Sequence, residues 1–318
     1  MNFSIVIPVY NRPDEIDELL HSLTAQTDSD FEVVVVEDGS TISCEDVCKK
    51  YTDRLNLHYF YKENSGPGDS RNYGARHSSG NYLIILDSDV IVPREYLRNV
   101  RTELTDNYCD AFGGADAADT SFSDMQKAVN YAMTSFFTTG GIRGGKKQME
   151  RFHPRSFNLG VGKTAFEAIG GFAAMRYGED IDLSIRLYKA GYSVRLLQNA
   201  TVYHKRRTDL QQFFKQVKHS GEARIALWQR HPDYPGALKI VHFLPAVFSI
   251  GVLLLLVASV FIPLLILPVL LFCLLIFIDS SLKNKSLKIG LLSVVTSFTQ
   301  LFGYGFGFIK AFVKKFFD

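Results

Sequence analysis

From Ile240 to Ile278 the chain carries no Asp, Glu, Lys or Arg, a run of 39 residues. A bilayer core about 30 Å thick is crossed by roughly 20 helical residues, so this run is too long for one span and long enough for two. Pro263 and Pro268 offer the break, because proline lacks the amide N–H that a helix interior needs. The run reads as one helix over about 242–261 and a second over about 264–281. A buried helical hairpin in a soluble protein is the weaker reading, since soluble core elements rarely run far past ~18 apolar residues. A third stretch, Ile289–Ile309, is uncharged but contains Ser, Thr, Gln300 and four Gly. It either spans or lies in the interface as a re-entrant or amphipathic piece. Lys283, Lys285 and Lys288 follow the second helix. The positive-inside rule puts them in the cytoplasm, and with two spans before them the N-terminal part is cytoplasmic too, facing inward from the inner membrane in a bacterium. The tail Lys310, Lys314 and Lys315, mixed with Phe312, Phe316 and Phe317, suits a headgroup layer. If the third stretch spans, that tail lies on the opposite side.

The net charge of +2 hides a split: residues 1–239 carry 29 Lys+Arg against 31 Asp+Glu, and residues 240–318 carry 6 against 2. A near-neutral N-terminal part excludes broad nucleic-acid binding, which needs a concentrated basic face. Phe3–Ile7 is too short for a signal peptide and is followed at once by Pro8, Asn11 and Arg12, so the N-terminus reads as domain rather than leader. Four cysteines exclude a disulfide framework, and Cys44, Cys48 and Cys109 fit a reducing compartment.

Residues 1–235 read as one α/β domain and 240–318 as a membrane domain. Phe3–Ile7, Phe31–Val36, Leu57–Tyr61 and Tyr82–Leu86 are strand-like. Helical patterns follow at Asn11–Ala25, Glu45–Tyr51, Gly68–His77 and Pro93–Leu104. Strand and helix alternate four times, the pattern of a Rossmann-like, doubly wound, mainly parallel sheet. Such sheets bind ligands beyond the carboxyl ends of their strands. Those ends carry Pro8-Val9-Tyr10-Asn11, Glu37-Asp38-Gly39-Ser40 and Asp87-Ser88-Asp89. Acids at a ligand edge repel a bare phosphate but meet one through a divalent cation, and hard oxygen donors suit Mg²⁺ or Mn²⁺. No GxGxxG follows the first strand. Gly160-Val161-Gly162-Lys163-Thr164 imitates a P-loop ending, but Phe157 stands where the motif needs Gly.

The stretches SIVIPVYNR, VVVVEDGS, GPGDSRNYGA, ILDSDV, GGF with YGEDIDLSIRLYKAGY, and VYHK together resemble the family 2 glycosyltransferases of the GT-A fold. The resemblance covers about residues 1–225. It implies an inverting transferase that moves a sugar from a nucleotide-sugar. It implies Pro8 and Tyr10 at the base, Asp38 at the base or ribose, and Arg71 reaching the nucleotide with its planar donor fork. Asp38 read alone is equally a helix cap. Asp87 and Asp89 look like the Asp-x-Asp motif, with Asp89 on the metal and Asp87 on the ribose or the metal's water. Glu179 and Asp180 match the acidic pair that supplies the base, with Asp180 taking the acceptor's proton and Glu179 holding the acceptor. Their plain alternative is a pair of first-turn acids on a helix dipole. In some relatives a histidine at the position of His204 completes the metal site or touches the diphosphate; its plain alternative is structural.

The Gln-x-x-Arg-Trp motif of the processive synthases is absent. Arg224 and Trp228 stand at helical spacing instead, so single-sugar transfer is expected rather than polymer extrusion. Arg224 is a candidate for the diphosphate, and Lys205 for the diphosphate or an anionic lipid headgroup, or else part of a surface charge run. Arg143, in a Gly-rich basic loop at 138–147, is a candidate clamp on a phosphorylated lipid acceptor, or part of a plain surface loop. Asn158 is placed in the acceptor cleft by family position alone, beside Arg155. The acceptor is expected to be lipid-linked or a glycolipid, because the helices would hold the enzyme at a membrane. Two other classes stay open. A catalytically silent scaffold would bind nucleotide-sugar without turnover. A nucleotidyltransferase would want a Gly-rich phosphate loop where Pro8-Val9-Tyr10-Asn11 stands.

Overall fold

The computed structural model describes residues 1–117, 122–139, 152–204 and 209–317. In chain order the elements begin β1 (Phe3–Val9), α1 (Pro13–Thr24), β2 (Phe31–Asp38), α2 (Glu45–Lys49), β3 (Leu57–Lys62), α3 (Pro67–His77) and β4 (Tyr82–Leu86). They continue with β5 (Val90–Ile91), α4 (Tyr96–Asp106), β6 (Ala111–Ala117), α5 (Asp124–Thr134) and α6 (Phe136–Thr139). Then come β7 (Asn158–Gly162), α7 (Lys163–Ala168), α8 (Glu179–Lys189), β8 (Val194–His204) and α9 (Leu210–Arg230). The chain ends with α10 (Leu244–Ser259), α11 (Leu267–Asn284) and α12 (Leu287–Phe317). Two compact units result: Met1–Asp119 with Phe152–His204, and Thr120–Arg151 with Lys205–Asp318.

The first unit holds an eight-stranded sheet in the order β3-β2-β1-β4-β7-β6-β8-β5. β3, β2, β1 and β4 are parallel, as the alternation of strand and helix predicts. Beyond β4 the sheet is mixed: β7 runs antiparallel to both β4 and β6, while β8 is parallel to β6. These later strands also alternate with helices, but no local pattern gives the reversed direction of β7, so the mixed half was not anticipated. The strands are apolar on both faces, as a covered sheet requires. Ile5, Ile7, Val33 and Ile84 face α1, whose Ile16, Leu19, Leu20 and Leu23 fall on one stripe. Val6, Leu83 and Ile85 face the opposite layer with Ala75, Phe166 and Leu183. Each such large side chain buried contributes about 1.5–3 kcal/mol. Gly74 lets α3 close on this face, since a Cβ there would stand 2.5 Å from Val6 Cγ1.

The second unit is helical. Among the described residues three helices are long and apolar enough to cross a membrane: Ile240–Ser259, Pro263–Asn284 and Leu287–Phe316. Between the first two a short 3-10 turn spans Pro263–Ile266.

Candidate active site

The parallel strands deliver their carboxyl ends to one edge of the sheet. β6 and β8 run the same way as β4, because β7 reverses twice. His204, the last residue of β8, is therefore in register with Val90, one residue past Asp89. Its Nε2 lies 3.3 Å from Asp89 Oδ1, and its ring stacks on Phe157 at 4.5 Å. Arg12 Nη1 reaches the other Asp89 oxygen at 3.1 Å and Glu15 at 2.6 Å. Asp89 is thus held between a cation and an imidazole.

Asp87, two residues earlier, enters a different group. Arg71 Nη2 donates to Asp87 Oδ1 at 2.7 Å, and Arg71 Nη1 to Glu179 Oε1 at 3.0 Å. The Arg71 side chain is 4% exposed and its guanidinium lies 5.3 Å from the centre of the Phe172 ring. The next residue, Asn72, exchanges two hydrogen bonds of 2.8 Å with the Phe172 backbone. The sequence stretches around Ser70-Arg71-Asn72 and Gly170-Gly171-Phe172 thus dock on one another. Arg71, expected at the nucleotide, has its planar fork divided between two carboxylates instead.

Glu179 and Asp180 open α8. Gly178 ahead of them is left-handed at φ +80°, a conformation that costs glycine little and turns the chain into the helix. Burial, then the charge of Asp180, push the Glu179 carboxyl above the usual carboxylate range, against the opposing pull of Arg71. Asp180 accepts from Arg155 Nη1 at 3.3 Å and from the Ile181 N–H at 2.8 Å. Arg155 thereby joins the acidic pair.

Asp38 sits at the end of β2, 4% exposed. It pairs with Lys62, its register partner on β3. It also accepts from the Ser65 and Gly66 N–H groups at 2.9 Å each. Burial alone would raise its pKa, but Lys62 and the Ser65 N–H outweigh it and hold the carboxyl below the usual range. Its carboxylate therefore anchors the loop that enters α3. Pro8 is half-buried and Tyr10 is 50% exposed at the end of β1. Asn11 is held at φ +54° with Oδ1 accepting from the Thr41 and Ile42 N–H groups, which joins this strand end to the next.

Asn158 corrects its expected position. It is fully buried, and its amide bonds to Tyr96 Oη at 2.6 Å, the Ala200 carbonyl at 2.7 Å and the Ala115 carbonyl at 3.3 Å. It pins β7 to its neighbours and presents no free group to an acceptor. Arg224 lies on α9 in the second unit. Arg143 and Lys205 lie outside the described residues. Arg12 and Lys62 were missed as partners of Asp89 and Asp38. Arg12 follows Asn11 directly, but Lys62 becomes visible only once the β2–β3 register is known.

A GT-A-type α/β sheet with acids at its carboxyl edge defines the class. The glycosyl transferase family 2 model matches residues 4–178, and the chain belongs to that family. It is 43% identical over 101 residues to validoxylamine A glucosyltransferase of Streptomyces hygroscopicus subsp. jinggangensis, covering 30% of this chain and 24% of that one. It is 35% identical over 114 residues to the poly(ribitol-phosphate) beta-N-acetylglucosaminyltransferase TarS of Staphylococcus aureus, covering 35% of this chain and 20% of that one. These matches span a quarter or less of the curated relatives. In fold the chain is similar to the mannosyltransferase PcManGT from Pyrobaculum calidifontis, solved with GDP-Man and Mn²⁺. The TM-score is 0.67 at 18% identity, over 93% of this chain and 86% of that one. TarS 1-349 in complex with UDP-GlcNAc gives 0.51 at 21% identity, over 70% and 66%.

Whether these residues suit a divalent ion can be judged from Asp89 and His204. Among the described residues no three His, Cys, Asp or Glu side chains converge as a metal cage. A carboxylate and an imidazole 3.3 Å apart do fit two adjacent ligands of one ion. Hard ions are commonly held by one or two protein groups, with substrate phosphates supplying the rest.

Proposed function

We propose that this chain is an inverting, metal-assisted glycosyltransferase that moves a single sugar from a UDP- or GDP-sugar to a lipid-linked or glycolipid acceptor. In this reading residues 1–235 carry the catalysis, facing the cytoplasm, and residues 240–318 hold it at the membrane. The observation that carries the reading is the Arg71 bridge. It couples Asp87, at the strand end where a donor's diphosphate would lie, to Glu179, in the acidic pair where an acceptor would lie. The relatives that act on or bind nucleotide-sugars support the donor class.

Transfer breaks the bond between the anomeric carbon and the diphosphate oxygen and forms one to the acceptor oxygen. The acceptor hydroxyl loses its proton as it attacks, and Asp180 Oδ2 takes it. Arg155, 3.3 Å away, fixes the Asp180 rotamer. Glu179, held by Arg71, orients the acceptor. The leaving nucleoside diphosphate carries the electron pair away. Asp89 and His204 would hold Mn²⁺ or Mg²⁺, which when bound neutralises developing charge on that diphosphate. Tyr10 and Pro8 offer a ring and a turn against which a base can lie. The carboxylate of Asp38 shapes this pocket through the 62–66 loop.

The test is nucleoside diphosphate release by the purified full chain. UDP- and GDP-sugars are screened with Mn²⁺ or Mg²⁺, with and without a lipid extract. Metal-dependent release that rises with lipid, and whose metal response weakens in Asp89→Asn, is expected. Equal transfer to soluble sugars without lipid overturns the acceptor class. Retained anomeric configuration in the product, read by NMR, overturns the inverting step.

A further inference from the structure

We infer that α12 lies in the plane of one membrane surface beside α9, that the α10–α11 hairpin alone enters the bilayer, and that the partner of α12 is an anionic headgroup layer. By length and composition α12 qualifies as a third span. Its surroundings argue otherwise. Its mean hydropathy is 1.3, against 2.6 and 2.5 for the other two, and 44% of its apolar window is buried inside the protein, against 17% for each of them.

Much of what buries α12 is a charged helix, with α5 and the hairpin helices covering the rest. α9 runs beside its C-terminal half with the two backbones in contact. A Cβ on Gly221 would stand 2.2 Å from the Tyr304 carbonyl oxygen, and one on Gly307 would stand 2.0 Å from that of Lys218. Further along, Lys310 pairs with Glu222 at 3.5 Å, and Lys315 Nζ sits 3.0 Å from the centre of the Trp228 ring. Within its 21 residues α9 carries Lys215, Lys218, Glu222, Arg224 and Arg230. A helix with that many ionised groups does not cross hydrocarbon, because each would be stripped of water. A helix laid against it backbone to backbone does not cross either.

The N-terminal half of α12 meets α5 in the same way. Lys288 pairs with Asp124 at 2.8 Å, and Thr296 donates to the Ala128 carbonyl at 2.9 Å. Polar partners from water-facing helices thus accompany α12 from Lys288 to Lys315. At 1.5 Å per residue that distance is about 40 Å, more than a bilayer core of about 30 Å.

The hairpin behaves differently. It touches α12 through the near half of α10 and along most of α11, as far as Phe272, whose ring centre lies 5.9 Å from that of Phe298. Ser249 on α10 donates to the Leu301 carbonyl at 3.3 Å, and Ser280 on α11 bonds Ser293 at 2.7 Å. Its far end carries Leu254, Val260, Phe261 and Leu264, each more than 60% exposed. That tip is the part built for hydrocarbon. The outward stripe of α12 carries exposed Leu291, Val295, Phe306 and Val313, with exposed Lys288, Lys310 and Lys314 among them. An apolar stripe edged by lysines suits the boundary between acyl chains and anionic headgroups. The arrangement also resolves the charge problem in the sequence. Lys283, Lys285, Lys288, Lys310, Lys314 and Lys315 all fall on one side of the membrane, as the positive-inside rule asks.

Variants Lys285→Cys and Lys314→Cys of the full chain, each with Cys273→Ser, test this in bacterial membranes; Cys44, Cys48 and Cys109 are buried, and the chain carrying Cys273→Ser alone sets their background labelling. A membrane-impermeant maleimide is added to right-side-out spheroplasts and to inside-out vesicles. Both positions are expected to label in the same preparation and to be protected in the other. Labelling of the two in opposite preparations overturns the proposal. Spin labels at Leu291 and Val313 in vesicles containing anionic lipid give a second readout. Equal, shallow depths are expected, and a steep difference in depth between them also overturns it.

Discussion

The two ends of β2 carry buried acids that look alike in sequence and differ in their company. At the first end Glu32, 6% exposed, accepts from Ser4 Oγ at 2.5 Å, the Ser79 N–H at 2.6 Å and Ser79 Oγ at 2.8 Å. Burial would raise its pKa, but Ser4 and Ser79 hold its carboxyl below the usual range. These donors are neutral and sit on β1 and on the loop before β4, so the cluster ties three segments together and is complete in itself. At the other end Glu37 also keeps neutral donors, Ser43, Tyr59 and the Cys44 N–H, but Asp38 and the acids along the neighbouring strand ends are tied to cations: Asp38 to Lys62, Asp87 and Glu179 to Arg71, Asp89 to Arg12, and Asp180 to Arg155. Burial of an acid therefore does not distinguish a site from a structural pin. A chain of shared counter-charges does, because it gathers several carboxylates and cations where a charged substrate would be met. Asp87 remains 30% exposed within that chain.

The sharpest way to break this contrast is to remove the proposed base. Asp180→Asn is expected to lower transfer by about 10²–10⁴-fold, the usual contribution of a positioned acid or base. Donor binding, measured separately by calorimetry, should change little. Normal turnover in that variant would remove Asp180 from the mechanism. Next is Arg71→Met, which leaves Asp87 and Glu179 facing one another without their shared cation. Loss of one partner of a buried ion pair costs about 3–5 kcal/mol. Thermal unfolding of the full chain in detergent is expected to show a loss in that range together with loss of transfer. An unchanged Tm would show that the bridge contributes nothing to stability.

The parallel half of the fold was legible because each strand is an apolar run closed by a turn signal and followed by an amphipathic helix. The mixed half was not, since β6, β7 and β8 are brought together by pairing rather than by any local pattern. The motif residues Asp87, Asp89, Glu179 and Asp180 were legible as acids at strand and helix ends. What each one touches was not. Arg71 and Glu179 lie 108 positions apart, and no spacing rule links them. Asn158 was misplaced because family position cannot tell an amide that lines a cleft from one bonded on every side. The α12 segment was legible as apolar, while its charged companion α9 came from an earlier part of the chain.

A milder test reaches the opposite end of β2. Glu32→Gln keeps the shape but replaces one acceptor oxygen by a donor that faces Ser79 or Ser4. A buried hydrogen-bonding mismatch costs about 1–3 kcal/mol, so a Tm lower by a few degrees is expected with turnover per folded molecule unchanged. A fall in turnover equal to that of Asp180→Asn would mean that the two ends are functionally alike, and would erase the contrast.

The smallest effect is expected at Lys62. In Lys62→Met, Asp38 keeps its two backbone N–H donors but loses its cation, at a cost of about 1 kcal/mol near neutral pH. The pH dependence identifies the cause. Asp38 has a folded pKa below its unfolded one, so its contribution to stability is present above the unfolded value of about 3.9 and is lost as pH falls through the folded value. Removing Lys62 moves the folded pKa back towards the unfolded one. The variant should therefore unfold more easily than the parent at pH 7, and the gap should close as the pH is lowered below about 4. A gap that stays constant across that range would assign the effect to lost packing of the lysine stem rather than to its charge. Asp38 would then belong with Glu32 as a neutral-donor pin, and the line between the two ends of β2 would have to be drawn beyond β3.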